Sequence, residues 1–281
     1  MKRTKQLLIQ KLSNLYDAAE INSLYALIMN HFFDYSYTDI IFKSKTVLHE
    51  ADFDRIVEVA NRLAQNEPIQ YVLGSARFYD MQLKVNQSVL IPRGETEELI
   101  RLVENENPDC EGSIMDICTG SGCIALALKK RFPLASVLGC DISDDALDVA
   151  EENAEANNLE VVFFKGDVLK TNLTSYIQDV DIVVSNPPYV REVEKQQMKA
   201  NVLDFEPHLA LFVPDDQPLL FYLVIAIQAV NLLAKGGKLY FEINEAYGNE
   251  VAELMREQGF GQVEIIKDIH GKDRFVRGTK Q

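Results

Sequence analysis

A short polar and proline-rich segment follows the apolar run at residues 181–185. It reads Asn186, Pro187, Pro188, Tyr189. Two consecutive prolines cannot continue a strand ladder, and each fixes φ at about −65°, so they predict a rigid loop at the end of a strand. Such a loop can present the Asn186 amide oxygen and the Pro187 carbonyl as acceptors for one planar NH2 group, which Tyr189 covers. The pattern favours chemistry on nitrogen; the alternative is a proline turn with an asparagine cap.

A second candidate site begins at Asp116, which ends an apolar run and is followed by a turn containing Gly120 and Gly122. Glycines in such a turn let a ligand approach the backbone closely. Asp141 ends the next predicted strand, where a carboxylate can accept hydrogen bonds from both hydroxyls of a ribose. The turn lacks G-x-G-x-x-G spacing and a phosphate-gripping lysine. The pattern therefore favours a nucleoside cofactor without a pyrophosphate; the alternative is a tight turn that only packs a helix on a sheet.

Short apolar runs alternate with longer helical ones after residue 113. This alternation predicts parallel strands with helices on both faces and a ligand crevice at the carboxyl ends of the strands. The last two runs flank Gly271 and predict a terminal antiparallel hairpin. The predicted strands are 114–117, 136–140, 161–164, 180–184, 238–243, 263–266 and 274–276, and the predicted helices are 123–131, 143–156, 218–234 and 250–258.

The first part of the chain has a different pattern. Apolar residues recur at helical spacing up to about Asn66, for example at Ile21, Leu24 and Ile28. Between residues 67 and 92 the runs become short and β-branched, which predicts a hairpin, and Glu95 then begins a helix. We therefore expect a small helical domain at residues 1–66, a β-hairpin linker at 67–92 and the catalytic domain at 93–281.

Composition narrows the class of partner. The net charge of −15 opposes a surface that tracks phosphates, so no direct nucleic-acid contact is expected. The four cysteines lack zinc-ligand spacing, which predicts free thiols and no metal. The first residues lack the apolar core of a secretion signal, and the longest apolar stretch, residues 218–234, is too short to span a bilayer. These features favour a cytoplasmic protein without a membrane contact.

The Asn-Pro-Pro-Tyr loop, the glycine turn and Asp141 resemble those of class I methyltransferases that use S-adenosyl-L-methionine to modify amide or exocyclic amino nitrogen. The closer resemblance is to the HemK/PrmC family, the release factor glutamine methyltransferases. It rests on further segments that follow in the family's order over nearly the whole chain: residues 68–74, 89–97, 206–211, 236–243 and 268–274.

The resemblance implies an α/β fold of the class I, Rossmann-like type, with a mostly parallel seven-stranded sheet and a small N-terminal helical domain. It also implies the roles of the candidate site residues. The methionine part of the cofactor would lie against Asp116, Thr119, Gly120, Ser121 and Gly122, the ribose against Asp141 and Ile142, and the adenine against Asp167 and Val168. The glutamine amide would be held by Asn186, Pro187, Pro188 and Tyr189, and the approach would be lined by Arg93, Glu95 and Thr96.

The implied reaction is N5-methylation of the glutamine in the Gly-Gly-Gln motif of class 1 peptide chain release factors, with residues 1–66 docking the factor. Two other functions fit the same residues: an adenine or other exocyclic amino methyltransferase acting on DNA or rRNA, with Tyr189 stacking on a flipped base, and a non-catalytic scaffold that binds the cofactor. The sequence leaves the oligomeric state open, with a monomer favoured.

Three residues depart from the family pattern: Cys118 and Gly94 stand where Gly and Pro are usual, and Asn244 stands where Gly often follows the strand. Cys118 is expected to alter the fit around the methionine carboxylate. His208 and His270 are assigned capping or packing roles, because nitrogen methylation here needs no imidazole. Glu206 is expected either to brace the Asn186 loop or to touch the substrate.

Overall fold

The computed structural model describes residues 1–281. Its contacts divide the chain into two compact units. The first comprises Met1–Ser75 with Lys199–Phe205, and the second comprises Ala76–Met198 with Glu206–Gln281. No helix is long and apolar enough to cross a membrane.

The first unit is helical, as the apolar spacing predicts. Asp17 caps the second helix and accepts hydrogen bonds from the backbone of Ala19 and Glu20, and Ser36 caps the third. Apolar residues of the first, second and fourth helices form one buried cluster that includes Leu8, Ile28 and Ile56. The helices are α1 (Lys2–Leu12), α2 (Ala18–Phe33), α3 (Tyr37–Phe42), α4 (Glu50–Leu63) and α5 (Ile69–Leu73).

Residues 67–92 combine a helix with a hairpin. Helix α5 occupies the start of this range and ends at Gly74, whose φ is 69°. Strands β1 (Ser75–Phe78) and β2 (Met81–Lys84) then form a two-stranded sheet. The two residues between them, Tyr79 and Asp80, both have positive φ, as in the turns that suit the twist of a tight hairpin.

The second unit is built on a seven-stranded sheet. Five neighbouring strands are parallel, and the last strand of the chain is antiparallel to both of its neighbours. The prediction of a mostly parallel sheet with a terminal antiparallel hairpin is confirmed. The order is β10-β11-β9-β6-β3-β4-β5, from strands β3 (Ser113–Ile117), β4 (Ser136–Asp141), β5 (Val162–Lys165), β6 (Val180–Ser185), β9 (Leu233–Glu242), β10 (Phe260–Lys267) and β11 (Asp273–Lys280).

Helices cover both faces of this sheet. One face packs on α6 (Gly94–Glu106), α7 (Cys123–Arg131) and α8 (Asp144–Asn157), and the other on α10 (Leu220–Leu232) and α11 (Gly248–Glu257). Side chains of β6 alternate between the two cores: Ile182 and Val184 face the first and Val183 the second. Burial on both faces explains why the parallel strands are continuous apolar runs.

The segment between β6 and β10 contains elements that the sequence analysis did not predict. Strands β7 (Val190–Arg191) and β8 (Phe212–Val213) form a small parallel pair, and helix α9 (Ala200–Phe205) belongs to the first unit. Short 3-10 turns fill the rest. These elements contain few buried apolar residues, so they lack the periodic pattern that reveals the main strands and helices.

Candidate functional site

The candidate site lies at the carboxyl ends of the central parallel strands of the second unit. A cavity of about 490 Å³ opens there. The crevice of a parallel α/β sheet is expected in this position, because the turns after neighbouring strands meet at one edge. The predicted site residues that line the cavity are Arg93, Thr96, Thr119, Gly120, Ser121, Asp141, Ile142, Asp167, Val168, Asn186 and Pro188.

The other predicted site residues lie next to the cavity but are absent from its lining. Asp116 is buried beneath the glycine turn, and Gly122 is the residue from which α7 starts. Pro187 is buried within the acceptor loop, the name used here for residues 186–189. Tyr189 points to a buried glutamate, and Glu95 lies in the first turn of α6, where a carboxylate is favoured by the helix dipole.

Asp116 holds the glycine turn, residues 116–122, against α7. Its Oδ2 accepts hydrogen bonds from the Thr119 hydroxyl at 2.6 Å and from the Ala125 backbone N–H at 3.1 Å. The side chain is fully buried, and burial raises the pKa of Asp116 to about 7, because a charged carboxylate loses its hydration there. The turn is therefore organised around an acidic group that is close to its titration point at neutral pH.

Three residues of this turn have positive φ, in the left-handed region of backbone conformation. Gly120 and Gly122 have φ of 54° and 78°, and a Cβ on Gly122 would lie 3.1 Å from both Ala150 and Phe163. Cys118 also has a positive φ, 64°, although it carries a side chain. An L-residue in this region costs roughly 1–2 kcal/mol, so the departure at Cys118 places strain in the turn where the family usually has glycine.

Asp141 closes the turn from the neighbouring strand. Its Oδ2 accepts from the Gly120 N–H at 2.9 Å, and its Oδ1 accepts from the Ser143 N–H at 3.0 Å. Burial raises the pKa of Asp141, while these two backbone donors lower it. Each carboxylate oxygen has a further lone pair, so the side chain can accept two more hydrogen bonds from a ligand.

Two buried polar atoms in the glycine turn have no hydrogen-bond partner: Asp116 Oδ1 and the Ser121 hydroxyl oxygen. Buried polar groups without a partner are rare in folded proteins and call for an explanation. Ser121 lines the cavity, so a ligand carrying a hydrogen-bond donor, such as the amino-acid part of a nucleoside cofactor, would supply a partner for its hydroxyl. This acceptor fits the cofactor that the sequence implies.

The acceptor loop is fixed by side chains from distant parts of the chain. Asn186 Nδ2 donates to the Thr96 hydroxyl oxygen at 3.3 Å, and that hydroxyl donates to Glu242 Oε2 at 2.7 Å. The Tyr189 hydroxyl donates to Glu242 Oε1 at 3.2 Å. Asn244 Nδ2 also donates to the Tyr189 carbonyl at 3.4 Å, so this departure from the family pattern supports the loop.

Glu242, at the end of β9, is a central residue of this network that the sequence analysis did not single out. Its side chain is 2% exposed, and burial raises its pKa, while hydrogen bonds from Thr96 and Tyr189 and the charge of Arg274 lower it. One feature of the sequence could have pointed to Glu242: it is a charged residue at the end of an apolar run, in the segment 236–243 that resembles the family. Burial raises the pKa of Tyr189 as well, so its hydroxyl stays protonated and donates.

Other charged residues brace the rim of the site. Glu206 accepts from Arg93 and from the Ile91 N–H, so it supports the segment that precedes α6. Asp167 accepts from the Leu169 N–H at 3.0 Å and forms an ion pair with Lys170. His208 packs edge-on against Phe212. Glu206 was predicted to brace the Asn186 loop or to touch the substrate, and its hydrogen bonds instead brace residues 91–93.

Three of the four cysteines line the cavity: Cys118, Cys123 and Cys140. Burial raises the pKa of Cys123 to about 12 and the pKa values of Cys118 and Cys140 well above the usual range of a thiol. Nearby carboxylates, including Asp116, raise them further. All three side chains are therefore neutral thiols in this environment.

Comparisons with known proteins agree with this geometry. Residues 96–204 match the Methyltransferase small domain family, and residues 6–74 match the PrmC N-terminal domain family. The chain is 44% identical over 283 residues to a release factor glutamine methyltransferase of Bacteroides thetaiotaomicron, with 100% of each chain covered. It is 40% identical to that of Flavobacterium psychrophilum, covering 96% of this chain and 95% of the relative. The chain belongs to the release factor glutamine methyltransferase family.

Solved structures agree with the fold that this family membership implies. A methyltransferase from Pyrococcus furiosus has a TM-score of 0.52 with 18% identity, covering 78% of this chain and 96% of that one. A 16S rRNA methyltransferase from T. thermophilus, in complex with AdoMet and guanosine, has a TM-score of 0.50 with 18% identity, covering 74% of this chain and 50% of that one. At this identity the likeness concerns the fold alone, and it confirms the class I methyltransferase fold.

Proposed function

We propose that this protein transfers a methyl group from S-adenosyl-L-methionine to the side-chain amide nitrogen of the glutamine in the Gly-Gly-Gln motif of class 1 release factors. The observation that carries the proposal is the acceptor loop at the mouth of the cavity, where Asn186 is held by Thr96 with its amide oxygen left for a ligand. Such a reaction would modify a translation termination factor in the cytoplasm.

The glycine turn and Asp141 are proposed to hold the cofactor, which supplies a methyl group on a positively charged sulfonium. The Ser121 hydroxyl, which lines the cavity, would receive a hydrogen bond from its amino-acid part, and Asp116 would hold the turn in place from beneath. Asp141 would accept from the ribose hydroxyls while keeping its bonds to the backbone of Gly120 and Ser143. The adenine would lie near Asp167 and Val168, which border the same cavity.

The acceptor loop is proposed to prepare a poor nucleophile. The lone pair of a primary amide nitrogen is delocalised into its carbonyl. Two acceptors, Asn186 Oδ1 and the Pro187 carbonyl, would take the two N–H hydrogens, orient the nitrogen and increase its electron density. Fixing two reactants in line can lower a barrier by roughly 7–11 kcal/mol, so positioning supplies most of the acceleration. The proton can leave after transfer, when the nitrogen has become acidic, and no strong general base is needed.

The first unit is proposed to dock the body of the release factor, because the cavity can contact only a few residues around the glutamine. Its third helix supports this role, since α3 contains no buried residue. Tyr37 and Phe42 of α3 are 73% and 82% exposed, and Val47 nearby in the chain is 89% exposed. Exposed apolar side chains grouped in this way are typical of protein interaction sites.

The test uses intact release factor and a short Gly-Gly-Gln tip peptide as parallel substrates, with mass analysis of the modified residue. We expect one added methyl group on the motif glutamine of both substrates. Preferential methylation of DNA or rRNA would overturn the substrate class. Phe42→Ser with Val47→Ser should weaken methylation of the intact factor far more than of the peptide, and Leu134→Ser, an exposed leucine of the second unit, is the matched control. Equal losses on both substrates would contradict docking by the first unit.

A further inference from the structure

The hydrogen bonds around Glu242 have a fixed direction. As a carboxylate, Glu242 has no hydrogen to donate, so both of its neighbours must donate to it. The Thr96 hydroxyl has a single hydrogen, and at 2.7 Å from Oε2 that hydrogen is committed to Glu242. The Thr96 oxygen can then act only as an acceptor. Asn186 must therefore turn its NH2 group to Thr96, at 3.3 Å, and its carbonyl oxygen the other way.

The choice between the two ends of the Asn186 amide matters because the ends are nearly equal in shape and opposite in hydrogen-bonding character. With the oxygen toward the substrate, the loop accepts from an NH2 group. With the nitrogen toward the substrate, it would donate and would suit a carbonyl or carboxylate. The selection of glutamine over glutamate thus depends on the orientation of one side-chain amide.

We infer that Glu242, acting through Thr96, sets the orientation of the Asn186 amide and thereby the preference of the site for a neutral amide over a carboxylate. Glu242 and Thr96 are positioning residues, since they act on the substrate through Asn186. The inference rests on the proposed function, which supplies the glutamine substrate, and it adds the residues that determine specificity.

Burial makes this relay effective. Thr96 and Glu242 are each 2% exposed, so bulk water does not compete for the Thr96 oxygen or the carboxylate. Burial raises the pKa of Glu242, and the hydrogen bonds from Thr96 and Tyr189 and the positive charge of Arg274 oppose this rise by favouring the carboxylate. Tyr189 donates to the second carboxylate oxygen, which keeps the carboxylate plane in place.

The main test is Thr96→Val, which keeps the shape of the side chain and removes the hydroxyl. Without it, Asn186 loses the acceptor that fixes its NH2 group. We expect kcat on the tip peptide to fall on the order of tenfold to a hundredfold, while cofactor affinity changes less than about twofold. Thr96→Ser restores the hydroxyl and should recover most of the lost turnover.

A second measurement separates orientation from general damage. Calorimetry with S-adenosylhomocysteine present gives the affinities of a Gly-Gly-Gln peptide and of its Gly-Gly-Glu analogue. Wild-type protein should bind the glutamine peptide more tightly than the glutamate peptide. Thr96→Val should reduce the ratio of the two affinities about tenfold or more, because Asn186 can then turn its NH2 group to the substrate and donate to a carboxylate. Glu242→Gln should also reduce this affinity ratio. The double variant with Thr96→Val should reduce it little further, since both substitutions act through the Asn186 amide.

Tyr240→Phe is the matched control. Tyr240 lies on β9 two residues before Glu242, is fully buried, and donates at 2.8 Å to Glu106, at the opposite end of α6 from Thr96. Its loss should lower stability without changing the peptide preference.

Outcomes for the inference and for the proposed function are distinct. If wild-type protein methylates the glutamine peptide but Thr96→Val keeps both its kcat and its preference, the relay is wrong and the proposed function stands. If Tyr240→Phe narrows the preference as much as Thr96→Val does, the effect is structural and the inference fails. If wild-type protein does not methylate the glutamine at all, the proposed function itself fails.

Discussion

The two halves of the site are built by different means. The glycine turn is held by two carboxylates whose partners are at most 21 positions away: Asp116 receives from Thr119 and Ala125, and Asp141 receives from Gly120 and Ser143. The acceptor loop is held by side chains that come together only in the folded protein. Asn186 and Thr96 are 90 positions apart, and Thr96 and Glu242 are 146 apart.

This difference predicts how each half of the site responds to substitution. The glycine turn takes most of its hydrogen bonds from backbone N–H groups, which remain when one side chain changes, so substitutions there should act mainly on ligand affinity and stability. A loop oriented by a relay of side chains loses its function when one polar atom is removed. We therefore expect turnover to respond most strongly to the acceptor loop.

The largest effect is expected at the acceptor loop. Asn186→Ala should lower methyl transfer by at least about a hundredfold and up to about a thousandfold, the scale for removing one oriented polar group that acts in the transition state. Cofactor affinity, measured by calorimetry, should stay close to that of the wild type. Asn231→Ala, at an exposed asparagine of α10, is the control. A variant that methylates at the wild-type rate would remove the loop from the mechanism.

The second effect concerns the buried acid of the glycine turn. The folded-state pKa of Asp116, about 7, lies above its unfolded value of about 3.9. Between these values the folded protein holds the proton and the unfolded chain releases it, so stability falls as pH rises from about 4 to 7. Asp116→Asn should remove this dependence, whose slope reaches at most about 1.4 kcal/mol per pH unit.

Urea unfolding at several pH values checks the prediction, with Asp109→Asn, at an exposed aspartate, as control. The difference in unfolding free energy between Asp116→Asn and wild type should grow with pH across the window and stay constant above it. A difference that is flat from pH 4 to 8 would show that the folded-state pKa of Asp116 is ordinary.

The third effect is on cofactor affinity. Asp141→Ala should weaken binding at least about a hundredfold, because two hydrogen bonds to a charged acceptor are lost and each contributes about 1.5–3 kcal/mol. Asp141→Asn keeps one acceptor oxygen and should lose less. Calorimetric titration measures both, after circular dichroism has shown that the variants are folded. Unchanged affinity in folded Asp141→Ala would exclude Asp141 from the cofactor site.

The smallest effect tests the strain at Cys118. Cys118→Gly relieves the left-handed backbone but gives the unfolded chain more freedom, whereas Cys118→Ala keeps the strain. We expect the glycine variant to be more stable than the alanine variant by about 1 kcal/mol in urea unfolding. Equal stabilities would mean that the turn tolerates an L-residue here without cost.

The contrast between contacts near in the chain and contacts far apart in the chain also explains what could be predicted from the sequence. Helix α7 matches the predicted range 123–131, because Gly122 and the basic residues at its end mark both limits. The parallel strands were visible as continuous apolar runs. The role of Glu242 was not visible, because its partners Thr96 and Tyr189 lie 146 and 53 positions away. Helix α5 and the elements between β6 and α10 were missed, since short segments have little periodicity.

The three thiols that line the cavity lie where the methyl donor is proposed to bind. A sulfonium methyl donor is an alkylating agent, and a thiolate is a far better nucleophile than an amide nitrogen. Burial keeps Cys118, Cys123 and Cys140 in the neutral form by raising their pKa values. A neutral thiol is a weak nucleophile, so the burial of these three side chains disfavours methylation of the protein by its own cofactor.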